Sequence, residues 1–268
     1  MTPARRAEAQ APEIRADAEV LCRLERARLL GERFVLLLPR EVVEQSTAVE
    51  DSTVSAEASR PEARIGLAGA PGVEALDIDA WEVVRAVALV CRKCDLCQGR
   101  TTVVWGSGTP HTRLVVVGEA PGFHEDQQGE AFVGPAGQLL TKILAAIGFA
   151  RDQVFITNVL KCRPPRNADP QPHQVAACEP YLVRQIELIH PAAILALGRH
   201  AARTLLRTEA PMSALRGRVF RYQGVPLVAT YHPAALLRNP NLKRPTWEDV
   251  QLLRRIYDEA VGGDGGSR

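Results

Sequence analysis

Four short apolar runs constrain what this chain can fold into: RLVVV at 113–117, VFITNVL at 154–160, AAILALG at 192–198 and VPLVATY at 225–231. Each is rich in β-branched or aliphatic residues and bounded by turn-forming ones, which is the pattern of a strand buried on both faces of a sheet. The stretches around them have helical periodicity. Leu139, Leu140, Ile143, Leu144 and Ile147 share one face of a helix over about 136–147, and further helices are expected at about 78–90, 172–189, 200–206 and 247–260. Alternating strands and helices predict an α/β fold, a three-layer αβα sandwich with a four-stranded parallel central sheet. Gly224 marks a hairpin-like approach to the fourth strand.

The remaining sequence is organised differently. Residues 1–43 read as a helical appendage with one helix at about 16–30, and residues 44–77 read as a flexible linker rich in Ser, Thr, Ala, Glu, Gly and Pro. The αβα domain is expected over 78–262, with a disordered tail at 263–268. No apolar run has the length of a membrane span, and the arginines of MTPARRAEAQAPEIR precede no apolar core. A cytoplasmic protein is expected, without a membrane partner. The net charge of +2 hides an asymmetry: residues 190–247 carry nine Lys and Arg against Glu209 alone, which suits a polyanionic partner or a set of solvated helix faces.

Chemistry-bearing residues gather where the strands end, the place at which an open α/β sheet puts its ligand. The first run leads into GEAPG at 118–122, where Gly118 and Gly122 permit tight turns and Pro121 fixes one φ angle. Glu119, Glu125 and Asp126 in and after this turn are either site carboxylates or ordinary loop acids. Cys91 and Cys94 can hold one metal centre from a single turn, and Cys162 and Cys178 flank the loop after the second strand; four thiolates suit zinc or an iron–sulfur cluster equally. Cys97 extends the first pair to C-x2-C-x2-C, but Thr101 stands where a ferredoxin motif needs its fourth cysteine, so Cys97 reads as a packed thiol and Cys22 as a helix-face residue.

GEAPG, FVGPAG at 132–137, TNVLKCRPP at 157–165, YHPAALLR at 231–238 and the four cysteines, in this order, closely resemble the family 4 uracil-DNA glycosylases over roughly residues 87–260. The resemblance implies a [4Fe-4S] cluster on Cys91, Cys94, Cys162 and Cys178, and excision of uracil from single- or double-stranded DNA. It implies a uracil pocket of Gly118, Glu119, Ala120, Phe132, Asn158 and His232, in which Phe132 stacks on the base, Asn158 reads its edge and His232 stabilises charge developing on O2. Glu119 is the candidate for orienting water or stabilising the sugar cation; His124 and Glu125 are weaker ones. Better-known uracil glycosylases carry an Asp where this turn has Ala120, and His124 replaces an acid common in the family. Leu236 or Leu237 is the expected minor-groove wedge, with Arg238, Lys161 and Arg163 on phosphates.

The rival readings are weaker. A uracil-binding or covalent-capture member of the superfamily needs a histidine on a basic insertion, which is missing between Asn158 and Pro172. A zinc deaminase lacks its His-x-Glu and Pro-Cys signature. A bare electron carrier leaves GEAPG, Asn158 and His232 without a purpose. A monomer, associated with the nucleoid when it acts on DNA, is the expectation.

Overall fold

The computed structural model describes residues 78–262; the readings for 1–77 and 263–268, Cys22 among them, lie outside the described residues. Helix α1 (Ile78–Leu89) delivers the cysteine segment, which a short 3-10 turn at Asp95–Gln98 compacts. A two-residue strand β1 (Ser107–Gly108) then precedes β2 (Leu114–Gly118), α2 (Phe123–Gln128), α3 (Pro135–Ala146) and β3 (Phe155–Asn158). The Pro-rich loop leads to α4 (Pro172–Ile189), β4 (Ala193–Leu197), α5 (Gly198–Leu206) and α6 (Met212–Leu215). The chain continues through β5 (Val219–Tyr222), β6 (Val225–Thr230), α7 (Pro233–Arg238) and α8 (Lys243–Gly262).

The sheet has six strands in the order β1-β3-β2-β4-β6-β5. The four inner strands are mutually parallel and correspond to the four apolar runs, while β1 and β5 add antiparallel edges. β1, two residues long, escapes the sequence pattern, whereas β5 and β6 form the hairpin expected around Gly224. Successive strand residues serve opposite faces. Leu114, Val116, Ile156, Leu195 and Val228 pack with Leu140 and Leu144 of α3 and Val250 and Leu253 of α8. On the other face, Phe155 meets the ring of Trp81 from α1 (centroids 5.1 Å apart) and Thr157 Oγ1 donates to Gln185 Oε1 of α4 (3.2 Å). Helices on both faces of a mostly parallel sheet make the three-layer sandwich. No helix among the described residues is long and apolar enough to cross a membrane.

Two short helices occupy segments that read as turn and loop. In α2, Glu125 accepts from the Gly122 N–H (3.2 Å), and in α7 His232 Nδ1 accepts from the Ala234 N–H (3.2 Å). Such local caps stabilise helices of about six residues, which apolar periodicity is too short to reveal.

Asp249 ties α8 to the sheet. It is buried, accepts from Thr230 Oγ1 (2.7 Å) and the Gly217 N–H (2.9 Å), and pairs with the Arg216 guanidinium (3.2 Å). Replacing it leaves the buried Thr230 hydroxyl and a partly buried cation without their acceptor. Asp249→Ala is expected to lower stability by about 2–4 kcal/mol, read by denaturant unfolding; a loss below about 1 kcal/mol contradicts this role.

Candidate active site

The carboxyl ends of the parallel strands open into a cleft of about 570 Å³, lined by Glu119, Phe132, Asn158, Asp169, His232 and Arg238 among others. Its floor is set by register: Gly118, the last residue of β2, lies beside Asn158, the last residue of β3. A Cβ on Gly118 would meet Asn158 Oδ1 at 2.4 Å and the Phe132 ring at 2.6 Å, so only glycine lets amide and ring share this space. The GEAPG turn is anchored by backbone bonds from Val159 N–H to the Gly118 carbonyl (2.9 Å) and from Leu160 N–H to that of Glu119 (3.0 Å). Ala120 also lines the cleft.

Asn158 is 1% exposed, and its Oδ1 has no hydrogen-bond partner among the described residues. A buried, unsatisfied acceptor costs on the order of 1–3 kcal/mol, which a ligand that donates to it would recover. Phe132 stands over the same space in a left-handed backbone conformation (φ 56°), its carbonyl crowding Gly137, where a Cβ would lie 1.7 Å away. The loop that carries it is held by Glu125, whose Oε1 accepts from the N–H groups of Val133 (3.0 Å) and Gly134 (2.9 Å). With Oε2 on Gly122, both oxygens of Glu125 are committed to backbone. Glu125 is therefore a loop brace, not a base, and Asp126 is likewise buried, accepting from the Thr101 N–H (2.9 Å). His124 is exposed at the cleft edge.

His232 caps α7 and its ring lies 5.5 Å from that of Phe132, tilted by 32°. Burial, helped by the Arg238 charge and opposed by Glu125, draws its pKa down to about 4. The imidazole is thus neutral near pH 7, and since Nδ1 accepts from Ala234 the proton resides on Nε2. Gly198 gives it room, for a Cβ there would approach the His232 Cβ to 2.9 Å.

Opposite, Glu119 meets two residues that the motifs did not single out. Ligand atoms of Glu119, Asp169 and His200 lie within 4.8 Å of one another, and Asp169 pairs with His200 (3.2 Å) and Arg199 (3.3 Å). Burial raises the Glu119 pKa, as does Asp169, while His200 and Arg199 oppose the rise. The signal for Asp169 and His200 was positional: one sits in the Pro-rich loop after β3, the other just past the end of β4.

Cys91, Cys94, Cys97, Cys162 and Cys178 line one small closed hollow between the end of α1, the segment after β3 and α4. Cys97 shares the hollow with the predicted four. The Arg100 guanidinium donates to Cys162 Sγ (3.1 Å) and the Lys161 N–H to Cys178 Sγ (3.2 Å).

Two DNA-facing expectations need correction. Lys161 is 2% exposed; its ammonium donates to Thr157 Oγ1 (2.6 Å), Gln185 Oε1 (2.6 Å) and the Asn158 carbonyl (2.7 Å) and reaches no phosphate. Burial draws its pKa down to about 7 against the pull of Cys178 and Cys162. Leu236 is 2% exposed and is core, leaving Leu237, 51% exposed, as the wedge candidate. Arg238 is exposed at the end of α7, and Arg163 is partly exposed with Nε on Asn167 Oδ1 (2.9 Å).

The His232 environment carries a pH signature. A folded pKa of about 4 against about 6.5 unfolded means that the unfolded chain binds more protons between those values, so stability falls as pH drops through this window. At pH 5 the loss is about 2 kcal/mol. Urea unfolding at pH 7 and pH 5 should show that His232→Gln loses less stability than the parent; equal losses contradict the assignment.

The comparisons agree with this geometry. The family model of the uracil DNA glycosylase superfamily matches residues 105–252. The type-4 uracil-DNA glycosylase of Archaeoglobus fulgidus is 46% identical over 69% of this chain and 94% of its own length. Those of Sulfurisphaera tokodaii (44% identical, 67% of this chain, 86% of the relative) and Thermotoga maritima (42%, 66% and 94%) are similar. Sequence, sheet and relatives converge, and the chain belongs to the uracil DNA glycosylase superfamily, among its type-4 uracil-DNA glycosylases.

Proposed function

We propose that this protein excises uracil from DNA by hydrolysing the N-glycosidic bond of an extruded deoxyuridine, the opening step of base excision repair. The observation that carries the reading is the buried, unpartnered Oδ1 of Asn158 beside Gly118 and under Phe132. Uracil N3–H donates to that oxygen and the Asn158 amide N–H donates to O4; cytosine presents the reverse pattern and leaves both unmet. Stacking on Phe132 and these bonds offset the few kcal/mol needed to unstack the nucleotide.

As the bond to C1′ breaks, its electron pair moves into the uracil ring and charge accumulates on O2. The neutral His232 donates from Nε2 to that oxygen, and it does so without a charge that would have to be buried. Glu119, the acid of the GEAPG turn, faces the sugar side, where its carboxylate stabilises the oxocarbenium and accepts a proton from the attacking water. Leu237 fills the gap left in the stack, and Arg238 and Arg163 hold phosphates. The protein acts as a monomer.

Cys91, Cys94, Cys162 and Cys178 fit a [4Fe-4S] cluster: four thiol side chains converge on one closed hollow, and the Arg100 guanidinium donates to one of them. The cluster would supply a cross-link between the end of α1, the segment after β3 and α4, with no part in the bond cleavage.

Release of free uracil from a uracil-containing oligonucleotide, with thymine and cytosine controls, tests the reading; no release contradicts it. His232→Ala is expected to slow single-turnover excision by roughly 10²–10³ while oligonucleotide affinity changes little. Asn158→Asp should weaken uracil recognition, since a carboxylate cannot donate to O4. Cys178→Ser should lose iron and Cys97→Ser retain it; full iron in Cys178→Ser rejects the ligand set.

A further inference from the structure

Phe123 is unexplained by the chemistry above. It is the first residue of α2, it is 53% exposed, and among the exposed large apolar residues of the described chain it is the one lining the cleft. Its surroundings fix the ring. The Arg163 guanidinium lies 5.1 Å from its centroid, and the His124 ring meets it edge-on at 5.6 Å. Arg163 is in turn held by Asn167 Oδ1 (2.9 Å). The result is an oriented aromatic ring at the rim of the pocket, backed by a cation.

We propose that Phe123 is a stacking platform for a nucleobase adjacent to the extruded deoxyuridine. This deepens the functional reading above and rests on it. When one nucleotide leaves the stack, a neighbouring base loses a stacking partner and exposes an apolar face. An aromatic ring at the pocket mouth restores that contact, and the guanidinium against the same ring suits the polyanionic strand. Every base has a π-face, so the platform tolerates sequence and contributes to strand affinity rather than to the choice of uracil. A phosphate contact alone would require the cation and leave the ring without a role.

The test measures affinity at fixed salt for a single-stranded oligonucleotide carrying a 2′-fluorinated deoxyuridine, which resists cleavage. Phe123→Ala should weaken binding roughly 5- to 100-fold, and Phe123→Trp should restore it where Phe123→Leu does not. Replacing the neighbouring nucleotide by an abasic spacer, on the 5′ side in one probe and the 3′ side in another, separates stacking from a structural effect. On one side the spacer should cost the parent protein a comparable factor and cost Phe123→Ala almost nothing. Unchanged affinity in Phe123→Ala, or equal spacer penalties in both proteins on both sides, overturns the inference. Uracil release by the parent protein distinguishes the two failures: release with no Phe123 effect rejects the platform alone, and absence of release rejects the functional reading beneath it.

Discussion

The site depends on the register between β2 and β3. Two parallel strands end side by side at Gly118 and Asn158, and the missing side chain on one leaves space for the carboxamide of the other and for the Phe132 ring. Shifting the pairing by one residue would turn Asn158 to the opposite face of the sheet. The inner strands are buried on both sides, so the register is set by the whole core, and the position of one polar side chain inherits that precision.

A second layer of polar groups holds this end of the sheet. Lys161 braces β3 from within, with three acceptors around one buried ammonium, and its own N–H reaches Cys178. The end of β3 and the cysteine hollow are thereby adjacent parts of one network. Glu125 does the corresponding work for the Phe132 loop, spanning Gly122 and residues 133–134. Groups that look catalytic by type are here committed to geometry, while His232 and Glu119 keep atoms facing the cleft.

This division explains what was legible in the sequence. The positions of the four inner strands and their parallel sheet follow from the apolar runs, because burial on both faces leaves a strong pattern, whereas the grouping of Asn158, Phe132 and His232 came from the resemblance to family 4 uracil-DNA glycosylases. The five cysteines of one hollow were visible as types and spacings; the sequence set Cys97 apart as a packed thiol, and the fold brings it to the same hollow as the other four. Side-chain direction was not legible. Lys161 and Leu236 read as DNA contacts because their neighbours are basic and apolar in the right places, yet each points into the protein. Asp169 and His200 approach Glu119 only after two separate connections fold over the sheet, which no local pattern encodes.

The central claim is that the unpartnered Asn158 oxygen reads the N3–H of the extruded base. Single-turnover excision from oligonucleotides carrying deoxyuridine or its N3-methyl analogue tests it directly, since the methyl group removes that donor and leaves O2 and the glycosidic bond in place. The account predicts that the methylated base is released at least about 10³-fold more slowly. Release of 3-methyluracil at the rate of uracil would contradict it.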